Sequence, residues 1–279
     1  MIDFRNKVYT GSQNRDSLFD CTIDDNAKGV VIFVHGYKGY KDWGAWNLVQ
    51  KEFVKNNFGF VKFNMSHNGG TVDEPIDFPD LEAFGNNCYT FELQDLETII
   101  SETYRMVNSE LKMDIPIFLL GHSRGGGIAI LQGARDSRVK AVISLAGISD
   151  IGARFPTGEE LENWKREGVR YVLNGRTHQE MPHYFSMHKD FKAHEKELDI
   201  HLACEQLEKP FLQIHGDMDQ SVSISEGLNL AQWTNTRVKI IKGAEHTFGT
   251  KQPWERDELP HEMKEAVAAG IEFFNKLPF

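Results

Sequence analysis

Gly121, Ser123 and Gly125, in the run Gly-His-Ser-Arg-Gly, place a hydroxyl between two residues that have no side chain. Ahead of them, residues 115–120 form a short apolar run; behind them, residues 126–132 are small and apolar. The first reads as a buried parallel strand and the second as a helix packed closely on a sheet. A serine in the pattern Gly-x-Ser-x-Gly sits on a sharp strand-to-helix turn with its hydroxyl presented at the sheet edge. The glycines are needed where a side chain would meet neighbouring backbone. The helix start adds amide donors and a positive dipole end, both suited to a developing oxyanion. Glycine-rich turns of this kind also bind nucleotides, but this one lacks both Gly-x-Gly-x-x-Gly and the Gly-Lys-Ser/Thr ending of a phosphate loop.

A serine cannot do the chemistry unaided, so the chain must also supply a base, an orienting acid and an oxyanion hole. Of the 11 histidines, His246 is the one placed by context, in a loop after the last strand pattern and before the final helical one. The acid is expected between serine and histidine in chain order. Asp217 and Asp219 both follow the penultimate strand pattern. Asp219 is the expected partner, because Asp217 directly follows Gly216 and is placed to satisfy turn amides. Asp150, after the preceding strand, is a third candidate. Two main-chain N–H groups must converge on the oxyanion. Arg124, next to the nucleophile, would give one, and Tyr37, in the His-Gly-Tyr-Lys-Gly loop after the run 30–34, would give the other. His35 is expected to hold that loop. The histidines at 178, 183, 188 and 194 form only a loose cluster; with no His-Glu-x-x-His and no tight Cys/His group, no metal site is expected.

The elements that must carry these residues alternate. Two early strands are followed by the uninterrupted, β-branched run at 30–34, a helix over 43–56, a strand near 58–65 and a polar, acidic loop over 66–87. A long amphipathic helix over 91–106 leads to the strand at 115–120, the Ser123 turn and its helix, and a strand ending near Ala146. Two more strands flank a helix through Leu228 and Trp233, and a helix over 263–274 closes the chain. Strand and helix in alternation predict an α/β fold with a mostly parallel central sheet and helices on both faces. The stretch 150–208 breaks the rhythm. It reads as a cap insertion within a single domain spanning 1–279, leaving from the carboxyl edge of the sheet where ligands of such folds bind.

Composition sets outer bounds. The chain has 279 residues, 40% hydrophobic and 26% charged, with a formal net charge of −10. That balance is ordinary for a soluble globular protein and argues against nucleic acid or an anionic membrane as the main partner. No apolar stretch approaches the length of about 20 residues that spans a bilayer. The N-terminus has no apolar signal core. The three cysteines, Cys21, Cys88 and Cys204, are widely spaced and odd in number, which predicts reduced thiols and a cytoplasmic protein.

Taken together, the His-Gly-Tyr-Lys-Gly, Gly-His-Ser-Arg-Gly-Gly, Ile-His-Gly-Asp-Met-Asp-Gln and Gly-Ala-Glu-His-Thr-Phe runs fall in the order and spacing of the α/β-hydrolases. The chain resembles the serine esterase group of that superfamily, which includes dienelactone hydrolase-like, cinnamoyl and feruloyl esterase-like and serine aminopeptidase-like proteins. The resemblance covers nearly the whole chain. It implies Ser123 as nucleophile, Asp219 as acid, His246 as base and the amides of Tyr37 and Arg124 as oxyanion donors, with no metal or organic cofactor. Two departures matter. Many relatives carry an Asp-x-x-Gly-x-Gly-x-Ser loop where this chain has Asn-Met-Ser-His-Asn-Gly-Gly. Dienelactone hydrolases proper use a cysteine where this chain has Ser123, which points to ester hydrolysis.

The expected function is therefore cleavage of small to medium or aromatic carboxylic esters through an acyl-enzyme. Thioester or aminopeptide hydrolysis by the same triad, and a non-catalytic binding module on the same fold, are the alternatives. The insertion is rich in large apolar residues, and Trp164, Tyr184 and Phe185 are the expected pocket lining. The sequence leaves the oligomeric state open.

Overall fold

The computed structural model describes residues 1–278. Strands β1 (Ile2–Thr10), β2 (Asp16–Ile23), β3 (Val30–Val34), β4 (Gly59–Phe63), β5 (Ile117–His122), β6 (Val139–Leu145), β9 (Phe211–Gly216) and β10 (Val238–Ile241) form one eight-stranded sheet in the order β1-β2-β4-β3-β5-β6-β9-β10. The β1–β2 and β2–β4 pairs are antiparallel, and all pairs from β4 to β10 are parallel. This is the α/β-hydrolase architecture. β3 shows why a parallel sheet forms here. All five of its residues are fully buried; Val30, Ile32 and Val34 pack into the core on one face, Val31 and Phe33 into the core on the other. Only a strand covered on both sides can be apolar at every position.

Helices cover the two faces. α3 (Tyr89–Arg105), α4 (Arg124–Arg135), α7 (Ile200–Glu205) and α8 (Ile224–Trp233) supply the first core; α1 (Trp46–Lys55) and α9 (His261–Asn275) supply the second. After β3 the chain crosses to β4 on one side, while β5 lies on the other. The loops leaving β3 and β5 at their carboxyl ends therefore face one crevice, the position at which open α/β sheets bind ligands.

Between β6 and β9 the chain makes a long excursion: α5 (Gly158–Glu167), the strands β7 (Val169–Leu173) and β8 (Glu180–Tyr184), α6 (Ser186–Ala193) and α7. The residue pattern over 150–208 predicts several short helices. The structure adds an antiparallel β7–β8 pair, whose local signal is the run Val-Arg-Tyr-Val-Leu followed by the turn residues Asn174-Gly175. The segment 66–87, read as loop, also contains a short helix, α2 (Leu81–Gly85), capped by the Asp80 carboxylate accepting from the Ala83 amide at 2.9 Å.

Candidate active site

Ser123 follows β5 directly and adopts φ 57° and ψ −121°, a strained conformation for a residue with a side chain. The two flanking glycines make the bend possible. A Cβ at Gly121 would lie 2.1 Å from the Gly125 carbonyl oxygen, and one at Gly125 would lie 2.2 Å from that of Val34. Any other residue would push the turn away from β3. The result is a serine hydroxyl held at the carboxyl edge, at the N-terminus of α4.

The three residues placed by chain order meet there. Ser123 Oγ lies 3.0 Å from His246 Nε2, and His246 Nδ1 lies 2.8 Å from Asp219 Oδ2. Each comes from the loop after a different strand: β5, β10 and β9. The other Asp219 oxygen accepts the amides of Ser221 at 2.8 Å and Val222 at 2.9 Å. Burial works against the charge of Asp219, but hydrogen bonds from His215, His246 and the Val222 amide outweigh it and hold the carboxyl well below the usual range. Asp217 instead accepts the Gly243 amide at 2.6 Å, and Asp150 accepts the Ala153 amide at 3.1 Å. Both serve local turns and neither reaches His246.

Three further histidines support the constellation: His35, expected to hold its loop, and His122 and His215, to which the sequence pattern assigns no role. Gln213 Nε2 donates to His215 Nδ1 at 3.1 Å, so the His215 proton sits on Nε2, 2.9 Å from the Val222 carbonyl oxygen and 3.4 Å from Asp219 Oδ2. His122 Nε2 donates to the backbone carbonyl of His246 at 3.0 Å, which fixes the loop that carries the imidazole. Burial, then the neighbouring His246, lowers the His122 pKa to about 3, so it remains a neutral donor. His35 accepts from the Met65 amide through Nε2 at 3.1 Å and reaches the Gly36 carbonyl through Nδ1 at 2.9 Å. Burial lowers its pKa to about 4. His35 thus ties down the loop that carries Tyr37, and Gly36 brings that loop against Ser123: a Cβ there would lie 2.9 Å from the serine Cβ. The main-chain N–H groups of Tyr37 and Arg124 have no acceptor among the described residues.

Ser123 and His246 form part of the wall of two cavities. One, of about 230 Å³, lies toward α1 and includes Trp43, Trp46, Lys38 and Arg176 in its lining. The other, of about 430 Å³, lies under the excursion between β6 and β9, bounded by Tyr37, Tyr89, Phe155, Met187 and three arginines. The expected lining residues Trp164, Tyr184 and Phe185 are in neither. Trp164 is buried in the excursion's own packing, its indole N–H donating to the His183 carbonyl at 2.7 Å. Its indole N–H needs an acceptor in the interior, and that requirement points it away from the site. Tyr184 is excluded by strand alternation: His183 faces the cavity, so Tyr184 must face the opposite way, where its hydroxyl bonds Glu82 and its ring covers Gly85. Phe185 packs on Trp164 and His188. The large apolar residues that do reach the cavity from this segment are Phe155 and Met187.

A family model described as Hydrolase_4, serine aminopeptidase S33, matches residues 25–198. The chain belongs to this family. The S33 match covers most of the chain but stops before Asp219 and His246, which the fold brings to Ser123. Solved structures extend the likeness to almost the full length. Est1E from Butyrivibrio proteoclasticus, determined with ferulic acid bound, is 16% identical, with a TM-score of 0.71 over 97% of this chain and 98% of that one. A monoacylglycerol lipase from Paleococcus ferrophilus is 15% identical, with a TM-score of 0.64 over 92% and 97%. A dienelactone hydrolase from Anabaena variabilis is 16% identical, with a TM-score of 0.63 over 98% and 97%. At these identities the structures share a fold with this S33 chain. No curated protein sequence matches it. By its family the protein is a hydrolase of the α/β class, and no helix among the described residues is long and apolar enough to cross a membrane.

Proposed function

We propose that the chain hydrolyses carboxylic esters through an acyl-enzyme on Ser123. The observation that carries this reading is the continuous chain of hydrogen bonds from Ser123 through His246 to Asp219 at 3.0 and 2.8 Å. In the mechanism it supports, Ser123 Oγ attacks the acyl carbon as its proton passes to His246 Nε2. Asp219 holds Nδ1–H toward itself, which fixes the productive tautomer and stabilises the imidazolium. The oxyanion forms between the amides of Tyr37 and Arg124, and their lack of another acceptor among the described residues supports that role. His246 then gives its proton to the leaving alcohol. In the second half, water loses a proton to His246 and cleaves the acyl-enzyme, releasing the acid and restoring Ser123. The excursion over 150–208 acts as a cap within the single domain, closing the larger cavity. The three cysteines, buried and unpaired, suit a reducing, cytoplasmic setting.

The family description brings in a second reading, release of N-terminal residues from peptides. An α-ammonium group in the site would call for a carboxylate partner, and neither cavity beside Ser123 has an aspartate or glutamate in its lining. This favours esters. Matched assays on an ester, a thioester and an aminoacyl amide separate the three. Ser123→Ala should lower ester kcat by on the order of 10⁶, as loss of the nucleophile does in a comparable triad enzyme, and should abolish labelling by a fluorophosphonate. Near wild-type turnover by Ser123→Ala would end the assignment.

A further inference from the structure

The cavity of about 430 Å³ beside Ser123 is lined by Arg124, Arg154 and Arg170 and by no aspartate or glutamate. In a chain of formal net charge −10, this gathering of cations runs against composition. Carboxylate partners exist, but outside the lining: Glu92 lies 2.9 Å from Arg124, Glu226 contacts Arg154, and Glu160 lies 3.6 Å from Arg170. Glu160 is largely exposed, so its pairing with Arg170 is screened by solvent. Arg170 lines the cavity with its guanidinium 4.8 Å from the ring centre of Trp164, and its Nε has no acceptor among the described residues. Arg124 is held rigidly, with its guanidinium 4.6 Å from the ring centre of Tyr37 and 4.9 Å from that of Tyr89. His183, which bonds the Tyr37 hydroxyl at 2.7 Å, has its pKa lowered to about 3 by burial and then by Arg124, Arg170 and Lys38. It therefore adds a neutral ring to the lining.

We propose that this cavity receives a carboxylate carried by the substrate, so that the preferred substrates are acidic esters, with Arg154 and Arg170 as specificity-determining residues. The inference rests on the esterase reading above and adds the substrate class. Planar guanidinium forks match a carboxylate in a way that a point charge does not. The aromatic walls, Tyr37, Tyr89 and Phe155, suit a short or planar spacer between that carboxylate and the scissile carbonyl. Across the serine, the smaller cavity offers Trp43 and Trp46 to the other half of the ester.

The test compares kcat/KM within two matched pairs. Mono-para-nitrophenyl glutarate against para-nitrophenyl pentanoate places the charge on the acyl side; para-acetoxybenzoate against its methyl ester places it on the alcohol side. The acidic member of at least one pair should be preferred by about tenfold or more, and raised salt should shrink that preference. Arg170→Gln and Arg154→Gln should each lower the acidic-to-neutral ratio by roughly tenfold, and Arg170→Lys should lower it less. The ratio is internal to each variant, so a general loss of activity does not mimic the effect. Ratios near one in both pairs, with the neutral esters turned over, overturn the inference and leave the esterase reading intact. Failure to cleave all four esters removes the esterase reading instead. Calorimetric titration of para-acetoxybenzoate and its methyl ester into Ser123→Ala then decides the anion site alone. Tighter binding of the acid that Arg170→Gln abolishes supports it, and equal binding of the two overturns it.

Discussion

A serine hydroxyl near neutral pH is a weak nucleophile, so what matters for the proposed attack by Ser123 is the direction of each neighbouring proton. His246 can accept only if its own proton sits on Nδ1, and the Asp219 oxygen 2.8 Å away holds it there. The two aspartates of the same loop then make a clean comparison. Asp219→Asn should cost about 10⁴ in kcat by favouring the wrong tautomer, with the fold retained. Asp217→Asn weakens only a bond to the Gly243 amide and should cost far less. Steady-state kinetics on the two variants check this, and the reverse ranking would make Asp217 the acid. His122 acts one step further out, through the His246 carbonyl, as a positioning residue. Its neutral ring is the donor that keeps the His246 loop in register with Ser123.

At the scale of elements, strand alternation decides which side chains line the cavity. β8 presents His183 to the cavity, and Tyr184, one residue on, covers α2 instead. Apolar character therefore does not distinguish lining from support in this segment. Trp164 is the clearest supporting residue, buried, stacked on Phe155 and bonded to the His183 carbonyl. Trp164→Ala should remove about 3–5 kcal/mol from the packing that holds this segment together. The expected readout is a lower melting temperature with protease cleavage appearing first within 150–208. Unchanged melting and cleavage elsewhere would mean that the segment is held by other contacts.

For the whole molecule, buried neutral histidines set an acid limit. Burial is the largest cause of the lowered pKa at His35 and His67, each about 4, and at His122 and His183, each about 3. In the unfolded chain the same rings titrate near ~6.5. Between those values the unfolded state binds more protons, so stability is full above the unfolded pKa and falls as pH drops through the window. Asp95 works the other way. Burial raises it to about 6 despite bonds from the Ser12 and Ser66 amides, so between the ordinary carboxyl range and that value the folded state holds the extra proton. Net uptake on unfolding at pH ~5 should be roughly three protons, four from the rings less one for the carboxyl. The slope of unfolding free energy against pH measures it directly. A flat profile between pH ~4.5 and ~6 would contradict the neutral, buried state of these rings.

The fold and the meeting of Ser123, His246 and Asp219 were legible in the sequence because both rest on local rules. β3 and β5 are runs of apolar residues bounded by turn signals, and Ser123, Asp219 and His246 each stand just past the end of a strand, where an α/β sheet brings loops to one edge. The hairpin of β7 and β8 carried its own local signal in the alternating run before Asn174-Gly175. Of the supporting residues, His35 was placed by its loop, and the other two carried no such signal. His122 and His215 act through hydrogen bonds to a backbone carbonyl and a carboxylate that are remote or several residues away, and a donor's partner in space has no spacing in sequence. The arginines at 124, 154 and 170 come from three separate elements and become one cationic surface only when the excursion folds back over β5. The lining aromatics could not be chosen among their neighbours because orientation, which hydropathy does not encode, separates Phe155 from Trp164. Residue type and order along the chain thus determined which side chains meet at the sheet edge, while long-range packing decided which charges and surfaces surround them.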